Sequence, residues 1–177
     1  MTGDSKPQTE PQTEPQTDLD LCATVPNVLA VSIKLLDPDL APPKYANVGD
    51  AGLDLMARID VELPPGGGRS MVPTGIAIAV PMGWGGFLLP RSGLAVRNGV
   101  TVVNGPGLVD AGYRGEIVVP LINTDPLVPY VIKRGERIAQ LLFLRVPEVI
   151  WEVTDELPPV PGGADGRGVA GFGSSGR

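Results

Sequence analysis

Histidine is missing from all 177 residues of the chain, and cysteine occurs once, as Cys22. Without histidine the chain has no Ser–His or Cys–His nucleophile pair and no His-ligated zinc site. A lone cysteine permits no intramolecular disulfide, which favours a reducing compartment. If the protein is an enzyme, we therefore expect a carboxylate as its general base and a hard cation held by oxygen as any metal.

Positive charge is also scarce, since the formal net charge is −6 and the sequence pI is about 4.6. Binding to a nucleic-acid backbone needs a basic surface, so we predict no nucleic-acid partner. The arginines nevertheless outnumber the lysines ten to four, which favours forked recognition of phosphate or carboxylate groups. The composition therefore still allows a small anion bound by a few local arginines and a metal.

Long apolar runs are lacking as well. No stretch reaches the length of a membrane span, and the N-terminus has neither the basic start nor the apolar stretch of a signal peptide. We therefore expect a cytoplasmic protein with no membrane partner.

Short apolar runs separated by turn residues make up most of the chain. In residues 74–80, Ile76, Ile78 and Val80 alternate with smaller residues, as in a strand with one buried face. Only residues 92–99 have room for about two helical turns. The strand-like runs are residues 28–36, 74–80, 85–90, 99–103, 116–123, 128–133, 137–146 and 148–153. The pattern predicts an all-β fold of about eight to ten short strands, a jelly roll or a related β-barrel.

Composition divides the chain into three segments. Residues 1–26 carry a repeat of proline, glutamine, threonine and acid, and they are predicted to form a disordered acidic tail whose partner the sequence does not identify. Residues 27–154 hold the apolar runs and are predicted to form the core. Residues 155–177 are rich in glycine and are predicted to form a mobile C-terminal arm.

The stretch VNGPGLVDAGYRGE, residues 103–116, is longer than a simple hairpin turn needs. A hairpin with an open mouth can admit a flat ring, with the Asn104 amide at the ring edge and the Tyr113 face against the ligand. Asp110 would lie beside the mouth as an ionised carboxylate that orients a water. The alternative is a long structural loop with a solvated Asp110.

Two further stretches each allow a structural and a functional interpretation. In DAGLDL, residues 50–55, the structural interpretation is a strand entry with solvated aspartates and with Leu53 and Leu55 facing inward. In PRSGLA, residues 90–95, a helix start with a hydroxyl and an arginine makes a phosphate cradle. The alternative there is a helix with Ser92 as its N-cap.

The last two stretches lie near the C-terminus. In RGERIAQL, residues 134–141, Gln140 carries an amide within an apolar strand. This amide either binds a ligand or faces water at a strand edge. In GFGSSG, residues 171–176, the G-x-G-x-x-G pattern is no dinucleotide fingerprint, because no strand precedes it. The arm can fold over a ligand, with Arg167 on phosphate and Phe172 on a ring, or it can be a disordered tail.

Together, these five stretches resemble the five motifs of the homotrimeric dUTPase family, in family order, over residues 50–176. The resemblance implies a jelly-roll fold and Mg²⁺-dependent hydrolysis of dUTP to dUMP and pyrophosphate. It implies a homotrimer with three active sites shared between subunits. It also implies the family's cellular roles, keeping uracil out of DNA and supplying dUMP for dTMP synthesis.

The resemblance also implies roles for individual residues. Asp110 would activate the water that attacks the α-phosphorus, and Asp54 would orient a water on a metal that has no direct protein ligand. The base and sugar would be held by Asn104, Gly107, Val109, Asp110 and Tyr113. The phosphates would be held by Arg91, Ser92, Gly93 and Gln140, of which Arg91 and Gln140 join Asp110 and Asp54 in the catalytic set. From the arm, the substrate would be closed in by Arg167, Phe172, Gly173, Ser174 and Ser175.

The chain departs from the family pattern at one position. Ala170 stands where the family usually has glycine, which can stiffen the arm if that position needs a positive φ. Three rival functions stay open at the level of sequence. The related dCTP deaminases share the fold, and release of ammonia rather than pyrophosphate would identify them. The second rival is a non-catalytic nucleotide-binding trimer, and the third is a purely structural jelly roll.

Overall fold

A computed structural model describes residues 28–159, in which ten strands and one helix are formed. The elements are β1 (Ser32–Leu35), β2 (Leu53–Met56), β3 (Val61–Leu63), β4 (Gly68–Ala79), β5 (Trp84–Pro90), α1 (Ser92–Asn98), β6 (Val100–Val102), β7 (Gly107–Val109), β8 (Glu116–Asn123), β9 (Tyr130–Ile132) and β10 (Arg137–Arg145). The prediction of an all-β, jelly-roll-like fold is confirmed. No helix in this range is long and apolar enough to cross a bilayer.

The strands form two four-stranded antiparallel sheets, ordered β1-β4-β8-β6 and β2-β10-β5-β7, and a two-stranded sheet of β3 and β9. Exposure alternates along β8 at every residue, which is the signature of a strand with one face on the core. Ile76, Ile78 and Val80 are at most 5% exposed, as their spacing predicts. The core lies between the apolar faces that the sheets share, and it holds both sheets in register.

Three strand predictions need correction. In residues 28–36 only β1 is a strand, and both β3 and the first half of β4 lie in stretches for which the sequence predicts no strand. Residues 148–153 form no strand, and their apolar side chains are exposed. A strand needs a hydrogen-bonded neighbour, and residues 148–153 pair with no other described segment. The described residues divide into two units between residues 145 and 146, and residues 146–159 contain no helix or strand.

The predicted hairpin forms, but its loop contains an additional strand. β6 and β8 pair antiparallel, with Val102 opposite Leu121. Between them β7 leaves the hairpin and pairs with β5, so that Gly107 lies opposite Leu88. The long loop therefore crosses from one sheet to the other, which leaves the end of the β6–β8 hairpin open.

A cluster of charged side chains surrounds Gly75, which lies within β4 where the pairing with β8 shifts register. Gly75 has φ +74°, and a Cβ there would lie 2.8 Å from the Asp37 Cβ. The Gly75 N–H donates to Glu116 Oε1 at 2.7 Å. Asp37 accepts hydrogen bonds from the Arg134 guanidinium, including one from Nη2 to Oδ1 at 3.0 Å. The Arg134 hydrogen bond holds the pKa of Asp37 below its ordinary value of 3.8, with smaller contributions from the charges of Arg134 and Arg58.

We predict that Asp37→Asn lowers the melting temperature at pH 7 and that the difference from wild type shrinks as the pH falls below about 4. Because the folded pKa is depressed, the ionised Asp37 adds stability above the unfolded pKa, and this is lost as the pH falls through the folded value. Thermal unfolding at pH 7 and pH 3 checks the result. Glu62→Gln is the control, because it removes an exposed carboxylate on β3 that makes no ion pair within residues 28–159. An equal difference at both pH values would contradict the prediction.

Candidate active site

Most of the sequence-predicted site residues of the described range line two separate cavities, whereas Ser92, Gly93 and Asp110 line neither. The first, which we call the arginine cavity, has a volume of about 470 Å³ and is lined by Asp54, Arg91 and Gln140. The second, which we call the hairpin cavity, has a volume of about 280 Å³ and lies at the open end of the β6–β8 hairpin.

Three neighbouring strands build the floor of the arginine cavity. Gln140 on β10 lies opposite Asp54 on β2 and opposite Leu89 on β5, so all three residues lie on one face of the sheet. At Gly52, a Cβ would lie 3.1 Å from the Gln140 Cβ, so glycine lets the chain enter β2 close to the glutamine. Gln140 is half-buried within the cavity rather than facing open water at a strand edge.

Asp54 is the buried charge of the arginine cavity, with 6% of its surface exposed. Arg91 Nε donates to its Oδ1 at 3.1 Å, and Arg137 Nη1 donates to its Oδ2 at 3.1 Å. A buried carboxylate needs such partners, because an unpaired charge is costly to remove from water. The interpretation of Asp54 as a solvated aspartate is therefore wrong. It holds for Asp50, which is exposed and accepts a hydrogen bond from the backbone N–H of Asn47 at 2.8 Å.

Arg91 links the cavity to helix α1. It occupies the N-cap with extended backbone and no side-chain cap, so the interpretation of Ser92 as the N-cap is wrong. Ser92 and Gly93 instead form the first residues of the helix. Arg91 Nη1 also donates to the Arg137 carbonyl oxygen at 3.1 Å, which holds the guanidinium beside β10. The two interactions of Arg91 fix the position of its guanidinium at the cavity wall.

The hairpin cavity contains most of the residues predicted to hold a flat ring. It is lined by Met71, Leu88, Asn104, Gly107, Leu108, Val109, Tyr113, Ile117 and Val118. A Cβ at Gly107 would lie 3.2 Å from Leu88 and 3.3 Å from the Asn104 amide, so the amide packs directly over this glycine. The cavity thus combines apolar walls with one side-chain amide.

Asp110 and Tyr113 lie in the tight turn that follows β7. The Tyr113 N–H donates to the Asp110 carbonyl oxygen at 3.0 Å, and Tyr113 Oη donates to the Glu116 carbonyl oxygen at 2.8 Å. The backbone of Tyr113 and the hydroxyl end of its ring are thereby each held by one hydrogen bond, while 45% of the residue stays exposed. Asp110 is exposed, and no hydrogen bond or ion pair within residues 28–159 engages its carboxylate. Its oxygens are available to a water or a ligand.

A single chain does not bring the two groups of residues together. Leu88 lines the hairpin cavity and Leu89 lines the arginine cavity. Neighbouring residues of a strand point to opposite faces of the sheet, so the two cavities open on opposite sides of β5. The predicted arm residues Arg167, Phe172, Gly173, Ser174 and Ser175, together with Ala170, lie outside the described residues.

Arg137 is a cavity residue that the sequence reasoning missed. Gln140 stands out in the RGERIAQL stretch because an amide is unusual in an apolar strand, whereas an arginine at the start of a strand is ordinary. No group of three or more histidine, cysteine, aspartate or glutamate side chains converges within residues 28–159. The carboxylates at the arginine cavity are those of Asp50 and Asp54.

Comparison with known proteins shows the family to which this chain belongs. The dUTPase family model matches residues 39–176. The deoxyuridine 5′-triphosphate nucleotidohydrolase of Mycolicibacterium vanbaalenii is 57% identical over 157 residues, covering 86% of this chain and 97% of that protein. The corresponding protein of Thermobifida fusca is 56% identical over 146 residues, covering 82% of this chain and 78% of that protein.

Solved structures agree with these relatives. A mutant dUTPase of Staphylococcus bacteriophage 80alpha with dUpNHpp has a TM-score of 0.76 and 26% identity, covering 85% of this chain and 100% of that chain. A mutant dUTPase of S. aureus phage phi11, whose structure concerns the coordination of a structural Mg(II) ion, has a TM-score of 0.67 and 22% identity. The match covers 72% of this chain and 98% of that chain. The chain therefore belongs to the dUTPase family of dUTP nucleotidohydrolases.

Proposed function

We propose that this chain hydrolyses dUTP to dUMP and pyrophosphate by attack of a water on the α-phosphorus, with Asp110 as the general base. The observation that carries the proposal is the exposed, unengaged Asp110 carboxylate in the turn that also presents the anchored Tyr113 ring. A carboxylate that is already ionised accepts a proton from water when geometry holds that water in line with the phosphorus.

The hairpin cavity is the proposed site for the nucleoside. Asn104 would donate to and accept from the edge of uracil, since its amide has both kinds of group. The backbone of Gly107 and Val109 would follow the ring, and the Tyr113 face would pack against deoxyribose. The apolar walls and the volume of about 280 Å³ support a pyrimidine rather than a charged ligand.

The arginine cavity is the proposed site for the phosphate chain. Arg91 and the Gln140 amide would supply donors to phosphate oxygens from the cavity wall, and the Ser92 hydroxyl and the Gly93 N–H would supply them from the start of α1 beside it. The carboxylates of Asp54 and Asp50 at this cavity suit a hard cation held through water, which supports Mg²⁺ carried on the triphosphate and oriented by Asp54. When bound, Mg²⁺ would neutralise the developing phosphate charge.

We further propose that the enzyme is a homotrimer in which each active site combines an arginine cavity and a hairpin cavity from different subunits. The placement of the cavities on opposite sides of β5 supports this, because one substrate has to contact both groups of residues. The arm of residues 155–177 would close the site, with Arg167 on phosphate, Phe172 over uracil, and Gly173, Ser174 and Ser175 at the phosphates. The reaction would supply dUMP for dTMP synthesis, and by removing dUTP it would keep uracil out of DNA.

Pyrophosphate release from dUTP, dTTP, dCTP and UTP, measured side by side with ammonia release from dCTP, tests the reaction. We expect pyrophosphate from dUTP alone at an appreciable rate, because in this proposal the hairpin cavity would leave no room for a 5-methyl group and Tyr113 would exclude a 2′-hydroxyl. Ammonia from dCTP would instead indicate a deaminase, and no release from any of the four would contradict the proposed function.

We predict that Gly115→Ala lowers kcat/KM for dUTP by roughly 10- to 100-fold, because displacement of a positioning group by about 1 Å is costly. A Cβ at residue 115 would lie 2.5 Å from Tyr113 Oη and 2.8 Å from its Cζ, so the ring has to move. Gly112→Ala is the matched control, since a Cβ there meets nothing within 4 Å. Steady-state kinetics of both variants check the result. If Gly115→Ala has the same kcat/KM as Gly112→Ala, the position of the Tyr113 ring does not matter for the reaction and Tyr113 is not part of the site.

A further inference from the structure

Arg137 is the second guanidinium of the arginine cavity, and the proposed function assigns it no role. Its Nη1 donates to Asp54, and within residues 28–159 its remaining N–H groups make no hydrogen bond. Its side chain is 49% exposed, against 25% for that of Arg91. Arginine carries five donors in a planar fork, so Arg137 can hold Asp54 and still present donors to a ligand in the cavity.

A β-bulge directs Arg137 into this cavity. On β10, Arg137 lies opposite Met56 and Ala139 lies opposite Leu55, so β10 carries one extra residue, Ile138. Ile138 and Ala139 are consecutive and both at most 1% exposed, which a regular strand does not allow on a half-buried sheet. Without the bulge, the side chains of Arg137 and Ala139 would both point to the core-facing side of the sheet.

With the extra residue, Arg137 instead shares the cavity side of Gln140, and both line the arginine cavity. Bulges commonly re-aim a side chain next to a functional site. The extra residue, Ile138, therefore places the Arg137 side chain in the arginine cavity beside that of Arg91.

The charges around the cavity leave Arg137 suited to an anion. Asp54 shares its single negative charge between Arg91 and Arg137. The other carboxylate at the cavity, that of Asp50, accepts hydrogen bonds from the backbone and side chain of Asn47 and belongs to an exposed turn. Two guanidiniums that flank one carboxylate form a preorganised donor pair, because the carboxylate holds both side chains in place.

We propose that Arg137 binds the phosphate chain of the substrate beyond the α-phosphate, and that Asp54 and the β10 bulge position it for this contact. The proposal rests on the proposed function and adds a residue to it. Arg137 is a substrate-binding residue in this account, so its loss weakens ligands in proportion to their phosphate chain. A residue that merely positioned Asp54 would act through the Mg²⁺ that Asp54 is proposed to orient, so its loss would weaken a triphosphate analogue only when Mg²⁺ is present.

The test compares Arg137→Gln with wild type by calorimetric titration of dUpNHpp and of dUMP, each in Mg²⁺ buffer and in EDTA buffer. We expect dUpNHpp to bind roughly 10- to 100-fold more weakly in both buffers, because charge-assisted hydrogen bonds to phosphate are lost. We expect dUMP affinity to change by no more than about twofold. Arg137→Lys, which keeps the charge and loses the fork, is expected to recover part of the loss.

Arg145→Gln is the matched control, because Arg145 lies at the other end of β10 and its guanidinium packs over Trp84, 5.2 Å from the ring centroid. We expect it to bind both ligands as wild type does. Unchanged dUpNHpp affinity in Arg137→Gln, an equal loss for dUpNHpp and dUMP, or a loss of dUpNHpp affinity confined to the Mg²⁺ buffer would overturn the proposal. If Arg137→Gln does not fold, the same comparison in Arg137→Lys decides it. Failure of the proposed function is distinct, because wild type would then release no pyrophosphate from dUTP.

Discussion

Asp110→Asn is expected to lower kcat for dUTP hydrolysis by roughly 10²- to 10⁴-fold, the usual contribution of a general base. Asparagine has nearly the same shape but cannot accept the proton of the attacking water. Because Asp110 is exposed and unengaged within the described range, its replacement leaves no buried partner without a hydrogen bond. We therefore expect the fold and the binding of dUpNHpp to be retained.

Single-turnover rates and dUpNHpp titration together check this expectation, since they separate chemistry from binding. Glu62→Gln provides the control, because it removes one exposed negative charge from β3, away from both cavities. Near-normal turnover in Asp110→Asn would remove Asp110 from its role as base. A loss of dUpNHpp binding equal to the loss of rate would show instead that the carboxylate only helps to bind substrate.

Two inactive variants are expected to restore activity when their subunits are mixed. Arg91→Gln disables the arginine cavity and Asp110→Asn disables the turn beside the hairpin cavity, so each variant alone is expected to be nearly inactive. If each site takes the two cavities from different subunits, random mixing in equal amounts gives about a quarter of the sites two intact halves. Co-refolded mixtures should therefore reach about a quarter of wild-type activity.

The control mixture combines Arg91→Gln with Gln140→Ala. Both changes lie in the arginine cavity of one chain, so no arrangement of these subunits yields an intact arginine cavity. We expect no recovery in that mixture. If Arg91→Gln and Asp110→Asn also fail to recover after subunit exchange has been demonstrated, both halves of the site come from the same chain, and the shared-site proposal is wrong.

The accuracy of strand prediction depended on whether a segment buries an alternating face. In residues 74–80 and in β8 the alternation is evident in the residues themselves, and the strands form where they are expected. The first half of β4 contains Arg69, Ser70 and Pro73, and it is a strand because β8 supplies hydrogen-bonding partners along its length. In residues 148–153 the apolar composition predicts a strand, but no strand forms because no described segment pairs with them.

The chain's own order of residues determined that the fold is all-β, that no histidine is available as a base, and that Asn104, Asp110 and Tyr113 share one loop. These features depend on residue type and short spacing. Only the tertiary structure decided that Asp54 is buried between two arginines and that Arg137 faces the cavity, because both depend on the register of β2, β5 and β10 and on one extra residue. It also separated the two cavities across β5, since that separation depends on which strands meet rather than on which residues they contain.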